Sequence, residues 1–128
     1  MPNIALTTLL VRDYDEAIRF YVDSLGFVVA QDTAGPDGSR WVVVRPAGAT
    51  GGLLLARADT DAERARVGSQ TDDRVAFFLH TDDFHRDYTR MRNVGVAFLA
   101  SPRVEDYGTV AVFRDLYGNL WDLLQPAV

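Results

Sequence analysis

Two histidines and no cysteine narrow the chemistry open to this chain. Without a thiol there is no thiolate nucleophile, no thiolate metal ligand and no disulfide. His80 ends the apolar run Val75-Ala76-Phe77-Phe78-Leu79-His80, which reads as a strand. A single histidine in a strand more often lines a pocket through a hydrogen bond than it ligates a metal. His85 falls near the start of the following helix and is expected in solvent. The acidic pairs sit at element starts. Asp13 precedes a helical run with Glu16 at capping-box spacing, and Asp82-Asp83 hold the same place before a second run. They are read as helix caps.

The elements around these residues form one pattern written twice. Ile4–Val11 is a largely buried strand rich in apolar and β-branched residues. Asp13-Tyr14 opens a helix whose stripe is Tyr14, Ala17, Ile18, Tyr21 and Leu25, and Gly26 stops it. Phe27–Asp32 and Arg40–Arg45 form a hairpin pair around Gly35-Pro36-Asp37-Gly38, and Leu53–Arg57 closes the first copy. The second copy opens with Val75–Thr81. Its helix starts at Asp83-Phe84, carries Phe84, Tyr88, Met91 and Val94 on one stripe, and stops at Gly95. The strands Val96–Ala100, Thr109–Arg114 and Leu120–Leu124 follow. A duplicated β-α-β-β-β unit predicts an α+β fold of two tandem modules, one about 4–57 and the other about 75–126. The joining segment 58–74 includes a short helical stretch at Asp61–Val67. It is too short to separate independent domains, so 1–128 is expected to be a single domain. Two such half-sheets set side by side would enclose a cleft.

Composition narrows the partners. With 128 residues, 48% of them hydrophobic, the chain can bury a real core. No apolar run approaches the ~18 residues needed to span a bilayer, and no charged start followed by an apolar stretch argues for a signal peptide. With no cysteine, a reducing cytoplasm is the expected compartment. Thirteen Lys and Arg against 18 Asp and Glu give a net charge of −5 with no basic stripe, which argues against nucleic acid as a partner.

The motif Val11-Arg12-Asp13, with Phe20-Tyr21 and Leu25-Gly26-Phe27, resembles the opening of the glyoxalase/bleomycin resistance protein/dioxygenase (vicinal oxygen chelate) superfamily. Phe113-Arg114-Asp115-Leu116-Tyr117-Gly118-Asn119 resembles its closing motif, with Leu116 where proline is usual. The likeness spans essentially the whole chain and implies a cupped, mostly antiparallel eight-stranded sheet with helices on its convex face. Metal-using members place one ligand in each of four strands. By that resemblance the positions here are Leu6, Leu53 (Leu54 if the register slips by one), Ala76 and Asp122, and only Asp122 can bind a cation. No metal or other cofactor is therefore expected. A displaced site built from His80, Asp122 and a further oxygen ligand is the metal-dependent alternative, which would make the chain a lyase, isomerase or dioxygenase.

Parity from those positions predicts a cleft lined by Leu6, Thr8, Leu10, Leu53, Leu55, Ala76, Phe78, His80, Leu120, Asp122 and Leu124. Trp41 and Tyr107 come from flanking segments. Such an apolar, aromatic wall with few polar anchors suits a small aromatic or amphipathic organic molecule. Trp121 and Phe77 have the opposite parity and are expected under the helices. The main reading is a metal-free binding protein of the drug-sequestering type, with no catalytic residue assigned. A third reading is a metal-free enzyme that uses His80 or Asp122 for acid–base work, His80 serving as a general base if Asp122 neighbours it. The resemblance also implies a homodimer.

Overall fold

The computed structural model describes residues 1–128, which divide into two compact units, Met1–Val67 and Gly68–Val128. Each unit is a small mixed sheet with helix on one face.

In the first unit, β1 (Leu6–Val11), β2 (Phe27–Ala34), β3 (Arg40–Pro46) and β4 (Gly52–Arg57) lie in the order β1-β4-β3-β2. The β1–β4 pairing is parallel, and the other two are antiparallel. Helix α1 (Tyr14–Arg19) runs directly into a π-helical turn over Phe20–Ser24. Asp13 caps it from an extended backbone, its carboxylate accepting from the Glu16 N–H at 2.8 Å. Gly26 ends it at φ 76°, a left-handed conformation that glycine adopts without steric cost. The predicted stripe faces the sheet: Tyr14, Ala17, Tyr21 and Leu25 are buried, together with Leu9, Val11, Val42, Val44, Leu53 and Leu55 from the strands. Tyr14 is held between the Arg40 and Arg57 guanidinium groups, 5.2 and 5.5 Å from its ring centre. Arg40 also bridges Asp15 and Asp32, tying the helix to the hairpin. Its hydrogen bond holds the Asp32 carboxyl below the usual carboxylate range. The helix α2 (Asp61–Arg66) follows, capped by Thr60.

The second unit repeats the plan. Strands β5 (Val75–His80), β9 (Leu120–Pro126), β8 (Gly108–Arg114) and β6 (Ala97–Phe98) lie side by side, and β7 (Arg103–Glu105) also pairs with β8. Again the first pairing is parallel and the others antiparallel. Helix α3 (Phe84–Asn93) is capped by the Asp83 carboxylate at the Arg86 N–H, 3.1 Å, and Gly95 follows it at φ 92°. Aromatic rings fill the space beneath it. Phe77 meets Trp121, Trp121 stacks on Phe113, and Phe113, Phe98, Tyr88 and Phe84 continue the series with centroids 4.6–5.8 Å apart.

Three details depart from the expectation. The strands number nine, in sheets of four and five, rather than eight. The added strand is β7, whose three residues are all exposed and carry no hydrophobic alternation. Val94 is 51% exposed: the helix ends at Asn93, so Val94 sits at the C-cap, where the helical stripe no longer applies. The strand expected over Val96–Ala100 is only Ala97–Phe98. No helix is long and apolar enough to cross a membrane.

Candidate functional site

In each unit the helix covers one face of the sheet and leaves the other open. Cross-strand register, rather than sequence parity alone, decides which residues share the open face, because partners in a ladder point the same way.

On the first sheet, Thr8 is level with Leu54, Leu54 with Val43, and Val43 with Gln31. The neighbouring rows add Leu6 and Gly52 on one side and Leu10, Ala56, Trp41 and Thr33 on the other. Leu6 and Thr8 are exposed, and Trp41 keeps 47% of its surface open. The expectation that Leu53 and Leu55 share this face is corrected. They pair with Thr7 and Leu9, point to the helix side, and are 6% and 1% exposed. The run Leu53-Leu54-Leu55 is uniformly apolar and gives no alternation from which to choose a face, and the pairing selects Leu54.

On the second sheet, Phe78 is level with Asp122, and Asp122 with Val112. The next row reads His80, Leu124, Val110 and Arg103 across four strands. Phe78 and His80 are exposed, Phe78 to 62%, while Asp122 and Leu124 are half-buried. The sheet thus brings Phe78, His80 and Asp122 onto one face. Trp121 and Phe77 lie on the other, as parity predicted. Ala76 falls at a β-bulge, where β5 advances from Val75 to Phe77 while β9 advances only from Leu120 to Trp121. It is half-buried there and has no cross-strand partner in the register. Tyr107 stands exposed in the turn between β7 and β8, its carbonyl accepting from the Ala127 N–H at 2.8 Å.

Asp122 is electrostatically distinctive. Burial raises its pKa, and the more distant Arg103 only partly opposes that. No hydrogen bond or salt bridge from the chain reaches its carboxylate. His80 is its diagonal neighbour, opposite Leu124. No three histidine, aspartate or glutamate side chains converge anywhere in the chain in a way that could hold a metal ion.

Two residues that the sequence reading left without a role contribute here. Arg103 joins the open face through β7, and nothing in a three-residue exposed segment signals it. Asp115 was visible in the closing motif and turns out to be a buried hydrogen-bond centre. One oxygen accepts from the N–H groups of Tyr117, Gly118 and Asn119 at 2.9–3.1 Å. The other accepts from the Asn119 amide and the Trp121 indole at 2.9 and 3.3 Å. That grip sets the turn into β9 and reaches Trp121, the residue before Asp122. Leu116, standing where the resemblance has proline, is exposed in the same turn.

The repeated architecture and the motif positions agree with what this chain is similar to. A family model for the Glyoxalase/Bleomycin resistance protein/Dioxygenase superfamily matches residues 3–123. An uncharacterized protein of Shewanella frigidimarina (strain NCIMB 400) is 54% identical over 125 residues, covering 96% of this chain and 93% of that protein. Among solved structures, TnmS3, an antibiotic binding protein from Streptomyces sp. CB03234, is 32% identical with a TM-score of 0.82, covering 99% of this chain and 98% of that one. A glyoxalase/bleomycin resistance protein from the same Streptomyces is also 32% identical, with a TM-score of 0.73 and coverage of 96% and 100%. A family match over nearly the whole length, on a fold built from the repeat that the sequence carries, places this chain in the Glyoxalase/Bleomycin resistance protein/Dioxygenase superfamily.

Proposed function

We propose that this chain binds a small aromatic or amphipathic organic molecule, a drug or a metabolite, against the open faces of its sheets, and does so without a resident metal. The observation that carries the reading is the open face of the second sheet. There an exposed phenyl ring, Phe78, adjoins a half-buried carboxylate with no partner in the chain, Asp122. Apolar surface with one or two convergent polar groups is the composition of a small-molecule site. On the first sheet Leu6, Thr8, Leu54 and Trp41 offer a face of the same kind. Stacking of a ligand ring on Phe78 or Trp41 would contribute roughly 0.5–1.5 kcal/mol beyond the area removed from water. Similarity to an antibiotic binding protein supports the same reading.

The metal-free part rests on the donor set. At the positions that the resemblance marks, Leu6, Leu53 (or Leu54, which the register puts on the open face) and Ala76 have no lone pair to give, and Asp122 is a lone carboxylate. These residues do not fit a divalent cation, which needs three or four donors. We further propose that the two units fold together as a single domain, that the protein is a homodimer, and that a chain without cysteine works in the reducing cytoplasm.

Titration of untagged protein against a panel of planar aromatic and amphipathic antibiotics and metabolites tests the binding. Saturable binding by at least one class is expected, and its absence across the panel overturns the proposal. Elemental analysis of the same protein after loading with Fe, Mn, Ni or Zn is expected to find less than stoichiometric metal. One ion per chain would restore the metal-dependent reading.

A further inference from the structure

We infer that Asp122 is the selectivity anchor of the open face of the second sheet, and that it directs this face toward ligands carrying a protonated nitrogen on or beside an aromatic ring. The inference rests on the reading that this face binds a small organic molecule, and it specifies which kind.

Phe78 and Asp122 are cross-strand partners in the β5–β9 ladder, so their side chains rise from adjacent strands about 5 Å apart and on the same side. A planar ligand lying on Phe78 would therefore present its edge to the Asp122 carboxylate. Val112 continues the row, and Leu124 and Val110 lie in the next. The row on the other side is Leu120 and Arg114, and the Arg114 guanidinium donates to the Gly118 carbonyl at 3.3 Å rather than to Asp122. Across such a surface the carboxylate is the one nearby anion to which a protonated nitrogen can donate a charge-assisted hydrogen bond.

Competing partners are poorly placed. Arg103 lies two strands away, beyond Val110 and Leu124, and its guanidinium is drawn to Glu105 at 3.8 Å. His80 flanks the row on the same side and can take a second polar group of the ligand. A carboxylate in this setting does nothing for the fold. It caps no helix, closes no turn and pairs with no cation, in contrast to Asp13, Asp83 and Asp115. Its partial burial is unfavourable until something positive or hydrogen-donating arrives. The net charge of −5 adds a long-range bias in the same direction.

Three acridines of nearly equal shape separate the anchor from general hydrophobic binding: 9-aminoacridine, cationic at neutral pH; acridine, neutral; and acridine-9-carboxylate, anionic. Each is titrated by fluorescence or calorimetry into the untagged protein. The inference predicts that 9-aminoacridine binds at least about tenfold more tightly than acridine, as a charge-assisted hydrogen bond warrants, with the carboxylate weakest. Asp122→Asn is expected to erase the preference for the cation while leaving acridine within about twofold. Asp23→Asn removes the same charge from an exposed position on the first unit and is expected to leave the preference intact. Phe78→Ala is expected to weaken all three by a common factor. Equal binding of cation and neutral ring, or a preference that survives Asp122→Asn, would overturn the anchor and leave the proposed binding function standing. No saturable binding by any of the three would also overturn the anchor, while the binding function itself is decided by the broader panel.

Discussion

The two open faces share a backbone plan and differ in what they offer a ligand. Each is built from a parallel pair, β1–β4 or β5–β9, extended by antiparallel strands. The middle row of the first is Thr8, Leu54, Val43 and Gln31, with no charge. The middle row of the second is Phe78, Asp122 and Val112, with a carboxylate at its centre. Duplication thus supplies one frame twice, and the side chains make the two faces different: an uncharged middle row on one, a carboxylate at the centre of the other.

The turns that feed the two central strands differ in the same spirit. The first enters β4 through Gly52, where an added Cβ would stand 2.7 Å from the Val44 carbonyl oxygen. The second enters β9 through the five hydrogen bonds collected by Asp115. The first copy relies on the smallest residue, and the second adds a buried acceptor to a glycine, Gly118 at φ 101°.

Breaking the second of these turns should have the largest effect. Asp115→Ala strands the buried Trp121 indole N–H and the Asn119 groups, and is expected to cost about 3–5 kcal/mol in urea unfolding. Its near-isostere Asp115→Asn, which keeps the shape but loses the charge, should fall between. The next effect sharpens the register. Leu55→Ala, at a side chain packed beneath α1, should lose about 2–4 kcal/mol, whereas Leu54→Ala on the open face should lose less than about 1 kcal/mol. Similar losses at the two sites would mean the face assignment is wrong. Gly52→Ala should destabilise by about 1–3 kcal/mol, because a backbone oxygen must move to admit the methyl group.

The smallest effect separates stability from binding at Asp122. Its pKa lies above the ordinary 3.8 because burial disfavours the charged form. Between the unfolded and folded values the native state binds more protons than the unfolded state, so ionisation lowers stability as pH rises through that window. Asp122→Asn should therefore be slightly more stable than the parent protein at neutral pH, with the difference shrinking as pH falls to about 4 and below. Thermal melts across that range check the sign, and a neutral-pH loss on substitution would show that the carboxylate supports the fold after all.

Much of the frame was readable from residues alone because it rests on local rules. Asp13 and Asp83 cap their helices, and Gly26 and Gly95 end them with positive φ. These positions mark the repeat. Phe78, His80 and Asp122 fell on one face because β5 and β9 stay in phase from Phe77 onward. What remained hidden depends on pairing. A strand has a period of two, so a one-residue uncertainty exchanges its faces, and that is what moved the open position from Leu53 to Leu54. The bulge at Ala76 and the short strand β7 leave no periodic trace, so Arg103 could not be placed at the far end of His80's row.

The most direct test of the central claim is a calorimetric titration of untagged, chelator-treated protein with planar aromatic and amphipathic antibiotics. The account predicts saturable binding that is unchanged when divalent metal is restored. Binding that appears only after metal is added, or no binding across the panel, would contradict it.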